Sequence, residues 1–193
     1  MHLKLFGKQT SGEDDLIAGC IAGKRAMQQA LYELYSKKML AICLRYCKTT
    51  FEAEDILQDG FIKVFTKIAE FKRDCPLEFW IKRIMINTAL KSQRGKIATM
   101  TVLTEEPDEN VADEEFILSN YAFGELMEMV QSLAPSYQLV FNLHAIEEFT
   151  YKEIGEQLGI TEGTAKSQYA RARAILKKKL EKEKNVYNEK IIR

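Results

Sequence analysis

The chain has no run of about 18 consecutive apolar residues, so no segment of it reads as a membrane-spanning helix. It has no N-terminal basic-then-apolar pattern either, so no secretory signal is read and a cytoplasmic protein without membrane insertion is expected. Four cysteines stand at 20, 43, 47 and 75 without CxxC spacing, and both histidines, His2 and His144, are distant from them in sequence. Free core thiols follow, with no metal site. Gly-rich phosphate loops, paired histidine ligands and nucleophile elbows are all missing, and Asp55 and Asp59, four apart, read as surface carboxylates. No catalytic residue and no cofactor are therefore expected. The chain is not disordered throughout, since 46% of its 193 residues are apolar, enough for compact cores.

Net charge is zero, with 28 basic and 28 acidic residues, but the signs are segregated. From Ile97 to Tyr151 there is no Lys or Arg, while eleven acids fall in that span, Glu105, Glu106, Asp108, Glu109, Asp113, Glu114 and Glu115 among them. Between Gly60 and Ile97, nine Lys or Arg face three acids. Neutrality thus conceals two basic lobes and an acidic linker.

No strand-like alternation occurs, and apolar residues recur at helical steps throughout. The N-terminal lobe reads as helices near 13–21, 24–48, 51–70 and 76–94, with a capping box at Thr49 and Glu52 and Pro76 in the first turn of the fourth. In the C-terminal lobe, Leu126, Met129, Val130 and Leu133 form one stripe, and Pro135 opens a helix expected to run through Phe149. His144 adjoins that helix's core face and reads as structural. The expectation is an all-α chain of two small helical domains, 12–97 and 123–182, joined by an acidic linker at 98–122.

The segment TYKEIGEQLGITEGTAKSQYARARAILKKKL, residues 150–180, has the form of a helix-turn-helix. Gly155 leaves room for a closely crossing helix, Gly159 supplies a left-handed turn residue, and Thr161 caps a second helix starting near Glu162. Ala165, Tyr169, Ala172, Leu176 and Leu180 form its inward stripe. At about 100° per residue, Thr164, Ser167, Gln168 and Arg171 cluster on an outward flank suited to base edges. Lys166, Arg173, Lys177, Lys178 and Lys179 suit phosphates.

A second candidate surface lies in LEFWIKRIMINTALKSQRGK, where Trp80, Ile84 and Ala89 face inward while Lys82, Arg83, Asn87, Lys91 and Arg94 make polar flanks. Phe71, Phe79 and Trp80 beside Lys72, Arg73, Lys82 and Arg83 would suit unpaired bases, because rings stack on bases and cations hold the backbone. For Phe79 and Trp80 the competing reading is simple core burial. Upstream, AEDILQDGFIKVF sets Asp55, Gln58 and Asp59 on one side, with Phe61 and Phe65 in apolar spacing. An acidic patch on a basic lobe suits a protein partner bearing basic groups better than DNA.

Taken together these segments resemble bacterial sigma factors of the extracytoplasmic-function type, which consist of sigma domain 2, a linker and sigma domain 4. The resemblance implies a transcription initiation factor that binds core RNA polymerase and promoter DNA and helps open the duplex. It sets Asp55, Gln58 and Asp59, with Phe61 and Phe65, against the polymerase clamp. It gives the −10 element to the Phe71–Glu78 loop (Phe71, Lys72, Arg73) and to Trp80, Lys82, Arg83, Asn87, Lys91 and Arg94. It gives the −35 element to Thr164, Lys166, Ser167, Gln168, Arg171 and Arg173. An anti-sigma factor partner is also implied. Leu77, Lys91, Ala165 and Gln168 depart from the residues frequent in the family, so its usual promoter preferences do not carry over. The alternative is a stand-alone helix-turn-helix regulator, which leaves the aromatic and basic segment without a role.

Overall fold

The computed structural model describes the backbone of residues 10–100 and 123–191 and the side chains of residues 12–93 and 127–181. Every regular element among them is helical. In order these are α1 Thr10–Ile21, α2 Arg25–Leu44, α3 Thr50–Lys67 with a 3-10 turn at Ile68–Glu70, and α4 Leu77–Met100. There follow α5 Phe123–Gln131, α6 Pro135–Phe141, a π turn at Asn142–Ile146, α7 Tyr151–Leu158 and α8 Glu162–Ile191. The described residues fall into two compact units: 10–44 with 49–89, and 45–48 with 90–100 and 123–191. Of the expected linker, 98–100 continue α4 and the remainder lies outside the described residues.

The first unit is organised by four-residue periodicity. Leu31, Tyr35, Met39 and Cys43 recur at that step along α2 and are buried, facing Ala53, Ile56, Leu57, Phe61 and Val64 of α3. From α4, Leu77, Ile81 and Met85 complete the core. Thr49 caps α3, its hydroxyl accepting the Glu52 N–H at 3.2 Å. Burial, reinforced by the charges of Glu13 and Glu78, pushes the Tyr35 hydroxyl up to about 12.

In the second unit Met129, Val130, Leu133 and Phe141 pack on Ala172, Leu176 and Leu180 of α8, the inward stripe read from the sequence. The helix expected through Phe149 instead ends as a regular α-helix at Phe141. Beyond it the Glu147 N–H reaches back five residues to the Asn142 carbonyl at 3.1 Å, and Glu148 adopts a left-handed φ of 60°. The Arg45 carbonyl accepts the side-chain amides of Gln138 at 2.8 Å and Asn142 at 2.6 Å. α2 ends at Leu44 rather than 48. Arg45 also pairs with Glu147 at 2.6 Å, and only 3% of the Glu147 side chain is exposed.

Candidate nucleic-acid interface

The helix-turn-helix is fixed at three points. At the start of α7 the Thr150 hydroxyl accepts the Glu153 N–H at 3.3 Å, while the Glu153 carboxylate accepts the Thr150 N–H at 2.9 Å, a reciprocal capping box. Gly159 ends α7 with φ 72° and donates its N–H to the Gly155 carbonyl at 2.8 Å. Thr161 then caps α8, accepting the Thr164 N–H at 3.1 Å. Gly155 leaves room for the turn and for the first residue of α8. A Cβ there would lie 2.7 Å from the Ile160 carbonyl oxygen.

On α8, Lys166, Lys177 and Lys178 are exposed, and Thr164, Ser167 and Arg171 are half-buried at the helix surface. Gln168 corrects the sequence expectation: only 8% exposed, it lies three residues from Ala165 and four from Ala172 and shares their buried face. It is not on the exposed flank expected from the sequence. Arg171 donates through Nη1 to the Tyr137 hydroxyl at 3.4 Å. The Arg173 guanidinium, expected at a phosphate, lies 5.8 Å from the centroid of the Tyr169 ring and is half-buried. His144 is structural, as expected. Its Nδ1 is 2.8 Å from the Phe149 carbonyl, to which it donates, and its ring stacks on Tyr151 at 4.2 Å.

On α4, Phe79, Arg83, Asn87 and Lys91 follow one another at four-residue steps and are all exposed. Lys82 and Trp80 are half-buried, and the side chain of Arg94 lies outside the described residues. In the preceding loop, Lys72 and Arg73 are exposed, Arg73 has a left-handed φ of 61°, and its guanidinium pairs with Asp14 at 2.9 Å. Phe71 is a second correction. Its ring packs on Trp80 with centroids 5.3 Å apart and is 9% exposed, so it supports the loop from beneath. Cys75 is exposed, and partial burial together with the Asp74 carboxylate raises its thiol above the usual value, which disfavours a reactive thiolate.

Along α3, Asp55, Gln58 and Asp59 are exposed as expected, but Phe61 is not. At 3% exposure, with its ring 4.7 Å from that of Tyr32, Phe61 belongs to the core, and Phe65 is half-buried beside it. The apolar residues on the outer line are Phe51 and Ile62, 72% and 60% exposed, which sequence spacing alone did not single out. They share a line with Asp55 and Gln58 at steps of four, three and four.

A chain with a helix-turn-helix on one helical unit and a basic, aromatic-headed helix face on the other is a DNA-binding transcription protein. Residues 31–96 match the family model Sigma-70 region 2, and residues 123–176 match Sigma-70, region 4. The chain is 27% identical over 162 residues to the extracytoplasmic-function (ECF) RNA polymerase sigma factor SigW of Bacillus subtilis (strain 168), covering 78% of this chain and 87% of that one. It is 29% identical over 158 residues to the ECF RNA polymerase sigma factor SigE of Mycolicibacterium smegmatis, covering 79% of this chain and 61% of that one. The sigma factor RpoE of Bartonella quintana, solved in complex with the anti-sigma factor NepR, aligns with TM-score 0.48 and 21% identity over 79% of this chain and 96% of that one. The chain belongs to the sigma-70 family, among the sigma factors of the extracytoplasmic-function type. It is a promoter-recognising transcription initiation factor, and the stand-alone regulator is not favoured, because the region 2 match claims the N-terminal half.

Proposed function

We propose that two segments of the chain divide promoter recognition between them, residues 123–182 reading the −35 element and residues 12–97 gripping the −10 element and core RNA polymerase. The start of α8 enters the major groove, where Thr164, Ser167 and Arg171 meet base edges and Lys166 meets a phosphate. On α4, Arg83, Asn87 and Lys91, with Lys82 behind them and Lys72 and Arg73 in the loop, hold the −10 strand, while Trp80 and Phe71 hold the loop. The exposed carboxylates of Asp55 and Asp59 and the amide of Gln58 dock a basic helical surface of core polymerase. The factor catalyses no reaction, works in the cytoplasm, and is held in reserve by an anti-sigma factor. The reading rests chiefly on the four-residue line of exposed Arg83, Asn87 and Lys91, a basic and polar strip on a rigid helix.

The test is run-off transcription from a genomic fragment library with purified core polymerase, with and without this protein. New starts sharing a −35/−10 pair are expected. Failure to bind core polymerase in a parallel pull-down would overturn the reading.

A further inference from the structure

We propose that Tyr137 on α6 is a positioning residue for the −35 reader: its hydroxyl fixes the plane in which the Arg171 guanidinium meets a base pair, a role that rests on the reading of α8 as the −35 helix. Arg171 carries the base discrimination of that helix face, because its two polar neighbours turn their hydroxyls back on the helix. The Ser167 hydroxyl donates to the Thr164 carbonyl at 3.1 Å, and the Thr161 and Thr164 hydroxyls share a hydrogen bond at 2.8 Å. Of the three residues, only Arg171 brings paired N–H donors.

An unrestrained arginine is a poor discriminator. Its long stem lets the guanidinium turn toward a phosphate or a neighbouring base as readily as toward one base edge. Here the Arg171 Nη1 donates to the Tyr137 hydroxyl at 3.4 Å, a bond between residues 34 apart in sequence. The hydroxyl stands on a fixed post. Tyr137 lies in the first turn of α6, which Pro135 opens, and its half-buried ring packs against the core cluster that includes Phe141 and Leu176. One helix therefore holds the reader carried by another. The bond engages one of the guanidinium's five N–H donors, whereas a guanine is read through a pair of them at its O6 and N7. At 3.4 Å it is long, so it orients the group without competing strongly with a base for it. Tyrosine suits the task because its ring supplies the packing and its hydroxyl the acceptor. Removing the hydroxyl alone leaves the packing in place.

The experiment uses the full chain assembled with core polymerase. Its probes are duplex −35 fragments of a promoter recovered by run-off selection, with each base pair replaced in turn. Arg171→Ala is expected to flatten discrimination at one base pair, which marks the position that Arg171 reads. Tyr137→Phe should lower discrimination at that same pair about fivefold, and leave the other positions, the single-stranded −10 affinity and the thermal melt as in the wild type. In an Arg171→Ala background, Tyr137→Phe should have no further effect. A tyrosine with a structural role alone would weaken every duplex alike and lower the melting temperature. Wild-type discrimination at the Arg171 pair in Tyr137→Phe, or a loss spread equally over all positions, overturns the inference while the −35 reading stands. If Arg171→Ala changes no position, the reading of α8 at Arg171 fails and the inference falls with it.

Discussion

The two helices proposed to meet DNA hold their cations differently. Along α4, Arg83 and Lys91 stand exposed at regular steps on a helix whose opposite side is buried through Leu77, Ile81 and Met85. Along α8, Arg171 is tied to the Tyr137 hydroxyl and Arg173 lies over the Tyr169 ring. An arginine already held in place loses less freedom on binding and demands a fixed target, as the major groove of an intact duplex offers. Exposed cations along a helix face accommodate a strand whose bases have left the stack. On the proposed reading, one chain carries a preorganised reader and an adaptable grip.

That contrast can be broken most forcefully at the foundation of the second unit. Glu147→Gln leaves the half-buried Arg45 guanidinium without its carboxylate, and a loss of about 3–5 kcal/mol is expected in chemical denaturation. Gly155→Ala should cost about 1–3 kcal/mol, because its methyl group meets the backbone of the turn, and −35 duplex binding should fall with it. Thr150→Ala removes one side of the capping box, for about 1 kcal/mol by the same assay. Lys91→Gln should leave stability unchanged and reduce by about one the slope of log affinity against log salt for the −10 strand. The smallest effect is a pH dependence of the first unit. The Tyr35 pKa is raised by folding, so its neutral form contributes stability that is present below pH 10 and lost as pH rises through about 12. Tyr35→Phe should flatten that alkaline limb in a series of thermal melts.

How much of this was legible in the chain depends on the signal each feature leaves. The stripe from Ala165 to Leu180 was readable because a helix buried along one side repeats its apolar residues at fixed steps. Gln168 was misplaced because it sits at the margin of that stripe, where polarity argues for solvent and only packing decides. Phe61 and Ile62 are adjacent, about 100° apart around α3, and which one is outward depends on where α2 docks. The two rings of Phe71 and Phe79 are interchangeable by composition, and only the packing of Phe71 on Trp80 separates them. The π turn at Asn142–Ile146 leaves no periodic trace, because a single five-residue backbone bond, from the Glu147 N–H to the Asn142 carbonyl, does not alter the spacing of apolar residues. By contrast, the Thr150–Glu153 box was visible as T-x-x-E and could have been read.

The most direct test of the division of labour is a crossed binding experiment. Holoenzymes carrying Arg171→Ala or the pair Arg83→Gln and Lys91→Gln are titrated against a duplex −35 fragment and a single-stranded −10 oligonucleotide from the same selected promoter. The account predicts a crossover: Arg171→Ala loses duplex affinity and keeps the strand, while the α4 pair loses the strand and keeps the duplex. Equal losses on both probes by both proteins would contradict it.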